Sequence, residues 1–343
     1  MGKKTKMLKN PFVSICTPTF NRRPFIPMAI KCFEHQTYPK DKMEWIIVDD
    51  GTDKIEDLVS HISQVKYFKY EEKMTLGKKR NICNEKAKGD IIVYMDDDDY
   101  YPPERVKHAV EKLKDSNALC AGSSAMFIYF KHIDKMLQFG PYGPNHSTAA
   151  TFAFKKELLK QTKFDEASSV AEERKFLKDY TIPFVQLESM KTILVFSHNH
   201  NSFDKKELLK QLPNPNVHET HLTPKDIVKE EDILNFFMKD IETILNNYEL
   251  GKPDYKPDVI KQLAQIKSDR ETQIQENMKK QAEYQDTLSK INTIMYPKVT
   301  HHQLNEQAIL INQLTLENDQ LKEQVTYLNT KIKQLIKSQI ERR

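Results

Sequence analysis

IIVYMDDDDYYPP, residues 91–103, decides the fold: five apolar residues run directly into four consecutive aspartates, Asp96 to Asp99. A short apolar run rich in β-branched residues reads as a buried strand. That strand carries its carboxylates at its carboxyl end, the edge at which parallel α/β sheets bind ligands. Four like charges on one turn repel each other, and either solvent or a hard divalent cation with oxygen ligands relieves that repulsion. A solvated acidic turn is sufficient for the run taken alone.

Working outward, FVSICT (12–17) and WIIVD (45–49) are similar apolar runs, and the second leads into another acidic turn, VDDGTD at 48–53. Pro24–Gln36 and Thr75–Ala87 have apolar residues at helical spacing, and Pro102 and Pro103 are expected to open a further helix through Leu113. Alternating strands and helices predict an α/β fold with a mostly parallel sheet. Two strand ends bearing carboxylates suit a ribose, a nucleobase edge and a metal-bound diphosphate, so the pair points to a nucleotide. GKKRN (77–81) puts three cations at a helix start, where Lys79 or Arg80 could neutralise a diphosphate; a solvated basic face is the other reading.

The chain has 343 residues, 38% of them hydrophobic, enough for one sizeable core and an appendage. Its 53 basic and 49 acidic residues leave a charge of +4, and no basic, aromatic-interleaved patch supports a nucleic-acid partner. Cys16, Cys32, Cys83 and Cys120 are widely spaced, with no zinc pattern, which implies a reducing compartment. With neither a signal-peptide run nor a transmembrane segment, the chain is expected to be cytoplasmic, where it could touch a membrane surface.

The stretch Leu212–Pro224 holds three prolines and reads as a linker, and from 258 to 343 there is one proline, Pro297, and no glycine. Leu304, Ile311, Asn318, Val325 and Ile332 recur every seven residues, with Leu314, Leu321, Leu328 and Leu335 three positions later. β-Branched residues at a, leucine at d and one asparagine at a favour a parallel two-stranded coiled coil. Glu317 at g and Lys322 at e would face each other across it. The expected organisation is a basic N-terminal segment (1–10), a catalytic domain (11–210), a linker and helical extension (211–257) and a helical region (258–343), with a homodimeric coiled coil over 301–341.

VSICTPTFNR (13–22), EWIIVDDGT (44–52), LGKKRNICNEKAKGDIIVYMDDDD (76–99) and AEERKFL (171–177) follow one another in an order and spacing that resembles family-2 glycosyltransferases. The resemblance covers roughly 11–205. It implies a GT-A, Rossmann-like nucleotide-diphospho-sugar transferase fold that moves a sugar, with inversion, from a nucleotide sugar, UDP-linked by expectation, to an acceptor hydroxyl. Pro18 and Phe20 would line the nucleobase slot and Asp50 would accept hydrogen bonds from the base. Asp96 would reach the ribose and Asp98 would bind Mn²⁺ or Mg²⁺, with Asp97 and Asp99 as possible substitutes because the run is uniform. The Glu172–Glu173 pair matches the family's acidic motif, one methylene longer than usual, and its second member, Glu173, is favoured as general base over Glu172. His198 and Asn201 match an H-x-x-N element whose histidine can contact metal or diphosphate.

Three other readings compete. A nucleotidyltransferase would carry a glycine-rich loop near its N-terminus, and TPTFNRR has no glycine. A nucleic-acid enzyme lacks its basic patch. A catalytically inactive nucleotide-binding scaffold acting through the coiled coil is opposed by intact acids at both strand ends. Residue types leave the sugar unnamed and permit a glycan, protein or lipid acceptor.

Overall fold

The computed structural model describes residues 10–295 and 301–340. The chain forms two compact units, the first ending at Lys267 and the second beginning at Ser268. The strands are β1 (Val13–Thr19), β2 (Met43–Asp49), β3 (Val65–Lys69), β4 (Ile91–Tyr94), β5 (Cys120–Gly122), β6 (Met126–Phe130), β7 (Lys135–Phe139), β8 (Ala153–Lys155), β9 (Phe184–Gln186), β10 (Leu194–Ser197) and β11 (Val217–Glu219). The helices of the first unit are α1 (Ile26–Glu34), α2 (Glu56–Val59), α3 (Leu76–Lys86), α4 (Arg105–Lys114), α5 (Glu173–Phe176), α6 (Pro224–Ile227), α7 (Glu231–Asn235) and α8 (Ile241–Asn246).

A seven-stranded sheet has the order β3-β2-β1-β4-β8-β5-β9. Its first four strands are parallel, β8 runs antiparallel to both β4 and β5, and β9 is parallel to β5. Every residue of β1, β2 and β4 is buried. Continuous apolar strands of this kind need cover on both faces, and the alternation shows it. Ile91 and Val93 join the core shared with Phe33 of α1 and Ala109 of α4, while Ile92 and Tyr94 join the core shared with Cys83 of α3 and Phe176 of α5. This arrangement is the α/β class expected, with a sheet whose core strands are parallel. A second sheet, β10-β6-β7-β11, flanks it. All four cysteines are free and buried.

Two expectations shift. Pro102 and Pro103 lie just ahead of α4 rather than inside its first turn, and their carbonyls accept hydrogen bonds from the Gln36 side chain and the Thr37 amide. The stretch read as a linker contains β11, which pairs antiparallel with β7. A three-residue edge strand carries too little apolar sequence to declare itself. Beyond it, Ile227, Val228, Ile233, Phe236, Phe237, Ile241 and Leu245 are buried in the main core, so the first unit extends well past residue 210.

α9 (Pro257–Met295) crosses the boundary between the units, and α10 (His301–Ile340) belongs to the second. The heptad residues Leu304, Ile311, Leu314, Leu321, Val325, Leu328, Ile332 and Leu335 are each more than half exposed. Pro297, most of the basic N-terminal segment and residue 341 lie outside the described residues. No described helix is long and apolar enough to cross a membrane.

Candidate active site

The parallel register of β1, β2 and β4 brings their carboxyl ends to one edge. The acidic turn after β4 is fixed there by its backbone: Thr17 Oγ1 donates to the Met95 carbonyl at 2.6 Å, and the Asp96 amide donates to Tyr101 Oη at 2.7 Å. A cleft of about 370 Å³ opens beside it, lined by Pro18, Phe20, all four aspartates, Glu172 and Glu173 among others. The sequence therefore identified residues from three distant segments that share one cavity.

Arg22, which sequence reasoning missed, organises the aspartates. Its guanidinium is buried, donates to the His200 carbonyl at 2.7 Å and to Asp98 at 3.1 Å, and lies 3.6 Å from Asp97. The four carboxyls consequently differ. Burial opposes ionisation of Asp98, but Arg22 and His198 outweigh it and hold this carboxyl well below the usual range. Burial and the Asp98 charge push Asp99 well above it, and burial carries Asp97 up to about 7 despite Arg22. Asp96 is also raised by burial, against the pull of Arg80.

His198 is buried 3.5 Å from Asp98 and is locked by Asn201, whose side-chain oxygen accepts from the His198 amide at 2.8 Å. Burial lowers the imidazole to about 4, which leaves it neutral; its Nδ1 accepts from the His200 amide at 3.2 Å and its Nε2 lies 2.9 Å from the Asn201 side-chain nitrogen, so both ring nitrogens are engaged by the protein. Among the described residues no three His, Cys, Asp or Glu side chains form a ready metal cage. Asp98 lines the cleft, where its carboxylate could join diphosphate oxygens and water around a divalent cation, whereas His198 stands behind it and is not on the cleft wall. Asp99 Oδ1 is buried with no hydrogen-bond partner among the described residues.

Asp50 is placed otherwise than expected. Its carboxylate is fully covered, accepts from the Met74 amide at 2.6 Å and pairs with Lys79 at 2.8 Å. Both oxygens are therefore engaged by the protein, and Asp50 braces the slot instead of facing it. The Lys79 ammonium reaches over the Phe20 ring at 5.7 Å. Gly51 is required because a Cβ there would lie 2.6 Å from the Asn21 amide. Asn21, with φ 51°, uses its side-chain oxygen to accept from the Asp53 amide.

Arg80 is buried with its Nε 2.7 Å from Glu172 and a terminal nitrogen 3.4 Å from Asp96. Ala171, at φ 54°, turns the chain so that Glu172 meets Arg80 and Glu173 begins α5. Glu173 is half-buried on the cleft wall, and burial followed by the Glu172 charge raises its carboxyl to about 7.

Residues 14–178 match the model of Glycosyl transferase family 2. The match spans just under half of the chain, and it is to this family that the stretch is similar. It is similar to the poly(ribitol-phosphate) beta-N-acetylglucosaminyltransferase TarS of Staphylococcus aureus, 29% identical over 109 residues, which are 28% of this chain and 18% of TarS. An uncharacterized glycosyltransferase of Haemophilus influenzae is 24% identical over 211 residues, covering 56% of this chain and 78% of the relative. Among solved structures, the mannosyltransferase PcManGT from Pyrobaculum calidifontis, in complex with GDP-Man and Mn²⁺, aligns at a TM-score of 0.45 and 19% identity over 54% of this chain and 56% of its own. Pro18, Phe20, Asp50, Lys79, Arg80, the four aspartates and the glutamate pair all fall within the matched residues, and His198 lies beyond them. Arg22 was hidden because its partner carbonyl lies 178 residues away in sequence.

Proposed function

We propose that this chain is a divalent-metal-dependent glycosyltransferase that moves a sugar from a nucleotide sugar, UDP-linked by preference, to an acceptor hydroxyl with inversion. The observation carrying the proposal is that Glu173, a carboxyl raised to about 7, shares one cleft with the ionised Asp98. Perturbed carboxyls of opposite tendency in one cavity mark a division of labour between base and charge holder.

Pro18 and Phe20 form the wall for the nucleobase and Asp96 reaches the ribose. Asp98, with His198 fixing it from behind, would hold Mn²⁺ or Mg²⁺, and the bound ion would stabilise the negative charge of the diphosphate. Glu173 takes the proton from the acceptor hydroxyl. The acceptor oxygen then bonds to the anomeric carbon from the face opposite the leaving group as the bond from that carbon to the diphosphate oxygen breaks. The products are an inverted glycoside and a nucleoside diphosphate. TarS is named for the transfer of a sugar, which supports the reaction class.

The exposed heptad seam of α10 supports assembly as a parallel homodimer through residues 301–341. Such a dimer would present two active sites to one glycan, protein or lipid acceptor and raise their effective concentration.

The reading is tested by calorimetry with UDP-, GDP- and dTDP-sugars, with and without Mn²⁺, on the full chain and on Asp98→Ala. Metal-dependent uptake of one donor, lost in the variant, is the expected result. Failure of every nucleotide to bind would overturn the transferase reading.

A further inference from the structure

We propose that Lys256, delivered by a strap from beyond the family-matched residues, is the cation that binds the diphosphate of the donor. The cleft is lined by six cationic side chains, Arg22, Lys73, Lys79, Arg80, Lys205 and Lys256. Four of them are already paired with carboxylates: Arg22 with Asp97 and Asp98, Lys73 with Asp258, Lys79 with Asp50, and Arg80 with Glu172 and Asp96. Lys205 is half-buried on the cleft wall. Lys256 is buried, yet among the described residues no carboxylate stands within ion-pair distance of it; its ammonium donates to the Ser202 hydroxyl at 2.7 Å.

Burying an ammonium against one neutral hydroxyl is costly. Burial, and then the neighbouring Arg22 charge, hold its pKa well below the ordinary lysine range. A nucleoside diphosphate entering the cleft supplies the missing anion. Its phosphate oxygens match the free donors of an ammonium whose flexible stem lets it act as a point charge.

The strap holds the lysine in place by several separate ties. Tyr248 Oη donates to Asp53 at 2.9 Å, the Asn21 side chain donates to the Leu250 carbonyl at 3.2 Å, and Gln262 accepts from the Ser169 amide at 2.8 Å. Asp258, at the start of α9, bonds both Lys73 and Ser169. Gly251 passes so close to the site that a Cβ would lie 2.6 Å from His200 Nδ1. The strap is thus fastened to the DDG turn, to the NRR turn and to the segment leading to Glu172, the last two of which line the cleft.

This inference rests on the nucleotide-sugar reading above, and the test separates the two. Binding of UDP, UMP and uridine, with the GDP and dTDP series alongside, is measured by calorimetry in Mn²⁺ on the full-length wild type, Lys256→Met and Lys256→Arg. The methionine variant fills the same space without charge, and its melting temperature reports on folding. Lys256→Met is expected to weaken the diphosphate by about tenfold or more, the worth of a charge-assisted hydrogen bond, while the nucleoside is held within about twofold. Lys256→Arg is expected to retain most of the diphosphate affinity. Equal weakening of diphosphate and nucleoside, or no weakening, in a wild type that binds nucleotide would overturn the role of Lys256 alone. A wild type that binds no nucleotide overturns the function reading and this inference with it.

Discussion

Arg80 Nε donates to Glu172 at 2.7 Å inside the protein, and that bond separates the roles of two adjacent glutamates. Glu172 is committed to a buried guanidinium, whereas Glu173 lines the cleft without an ion-pair partner among the described residues. Removing one member of a buried ion pair strands the other, at about 3–5 kcal/mol. Glu172→Ala is therefore expected to lose about that much stability in urea unfolding. Glu173→Gln is expected to remain folded and lose about 10²–10⁴-fold in turnover. The opposite pattern, a stable inactive Glu172 variant and an active Glu173 variant, would make Glu172 the base.

The pH dependence follows from the same glutamate. Burial and the adjacent Glu172 charge raise Glu173 to about 7, so below that pH it is protonated and cannot accept the acceptor's proton. The ratio kcat/KM is expected to climb with pH to a plateau above about 7, a limb absent from the residual activity of Glu173→Gln. Stability runs the other way. A carboxyl raised in the folded state favours folding while protonated, and that contribution is present below the unfolded value of about 4.3 and lost as pH rises through about 7. Glu173→Gln should thus gain in melting temperature relative to wild type at pH 8 compared with pH 5. An unchanged difference between the two pH values would contradict the assignment.

β1, β2 and β4 were legible because strands covered on both faces must be continuously apolar, and the acidic turns stand where those runs stop. His198 and Asn201 were legible because their hydrogen bond spans three residues. Arg22, Lys256 and the covered state of Asp50 were not. Each depends on a partner brought in from another segment: the His200 carbonyl for Arg22, the Ser202 hydroxyl for Lys256, Lys79 for Asp50. β11 was obscured for a related reason, since its register comes from β7 and not from an apolar pattern of its own.

The family resemblance points to Asp98 as metal ligand but leaves Asp97 and Asp99 open because the run is uniform; their surroundings differ and support Asp98. Asp98 is the member held ionised by Arg22 and His198, while burial raises the other three. Titrating Mn²⁺ into the protein with UDP present is expected to tighten UDP binding for wild type and for Asp96→Asn. Asp98→Asn should bind UDP equally with metal or with chelator. If Asp97→Asn or Asp99→Asn abolishes the metal effect and Asp98→Asn does not, the ligand lies elsewhere in the turn.

The eight exposed apolar heptad positions of α10 make the strongest demand on assembly, because a long helix with an exposed seam gains stability by burying it against a second copy. The full chain is expected to scatter light as a dimer, and a chain ending at Lys267, where the first compact unit stops, as a monomer with unchanged nucleotide affinity. Asn318 sits at an a position among β-branched residues, where paired asparagines fix a parallel, in-register dimer at some cost in stability. Asn318→Ile should raise the melting temperature of the helical tail and broaden the population toward higher oligomers. A dimer that persists after removal of residues 268–343 would place the interface on the first unit and leave the heptad seam to some other partner.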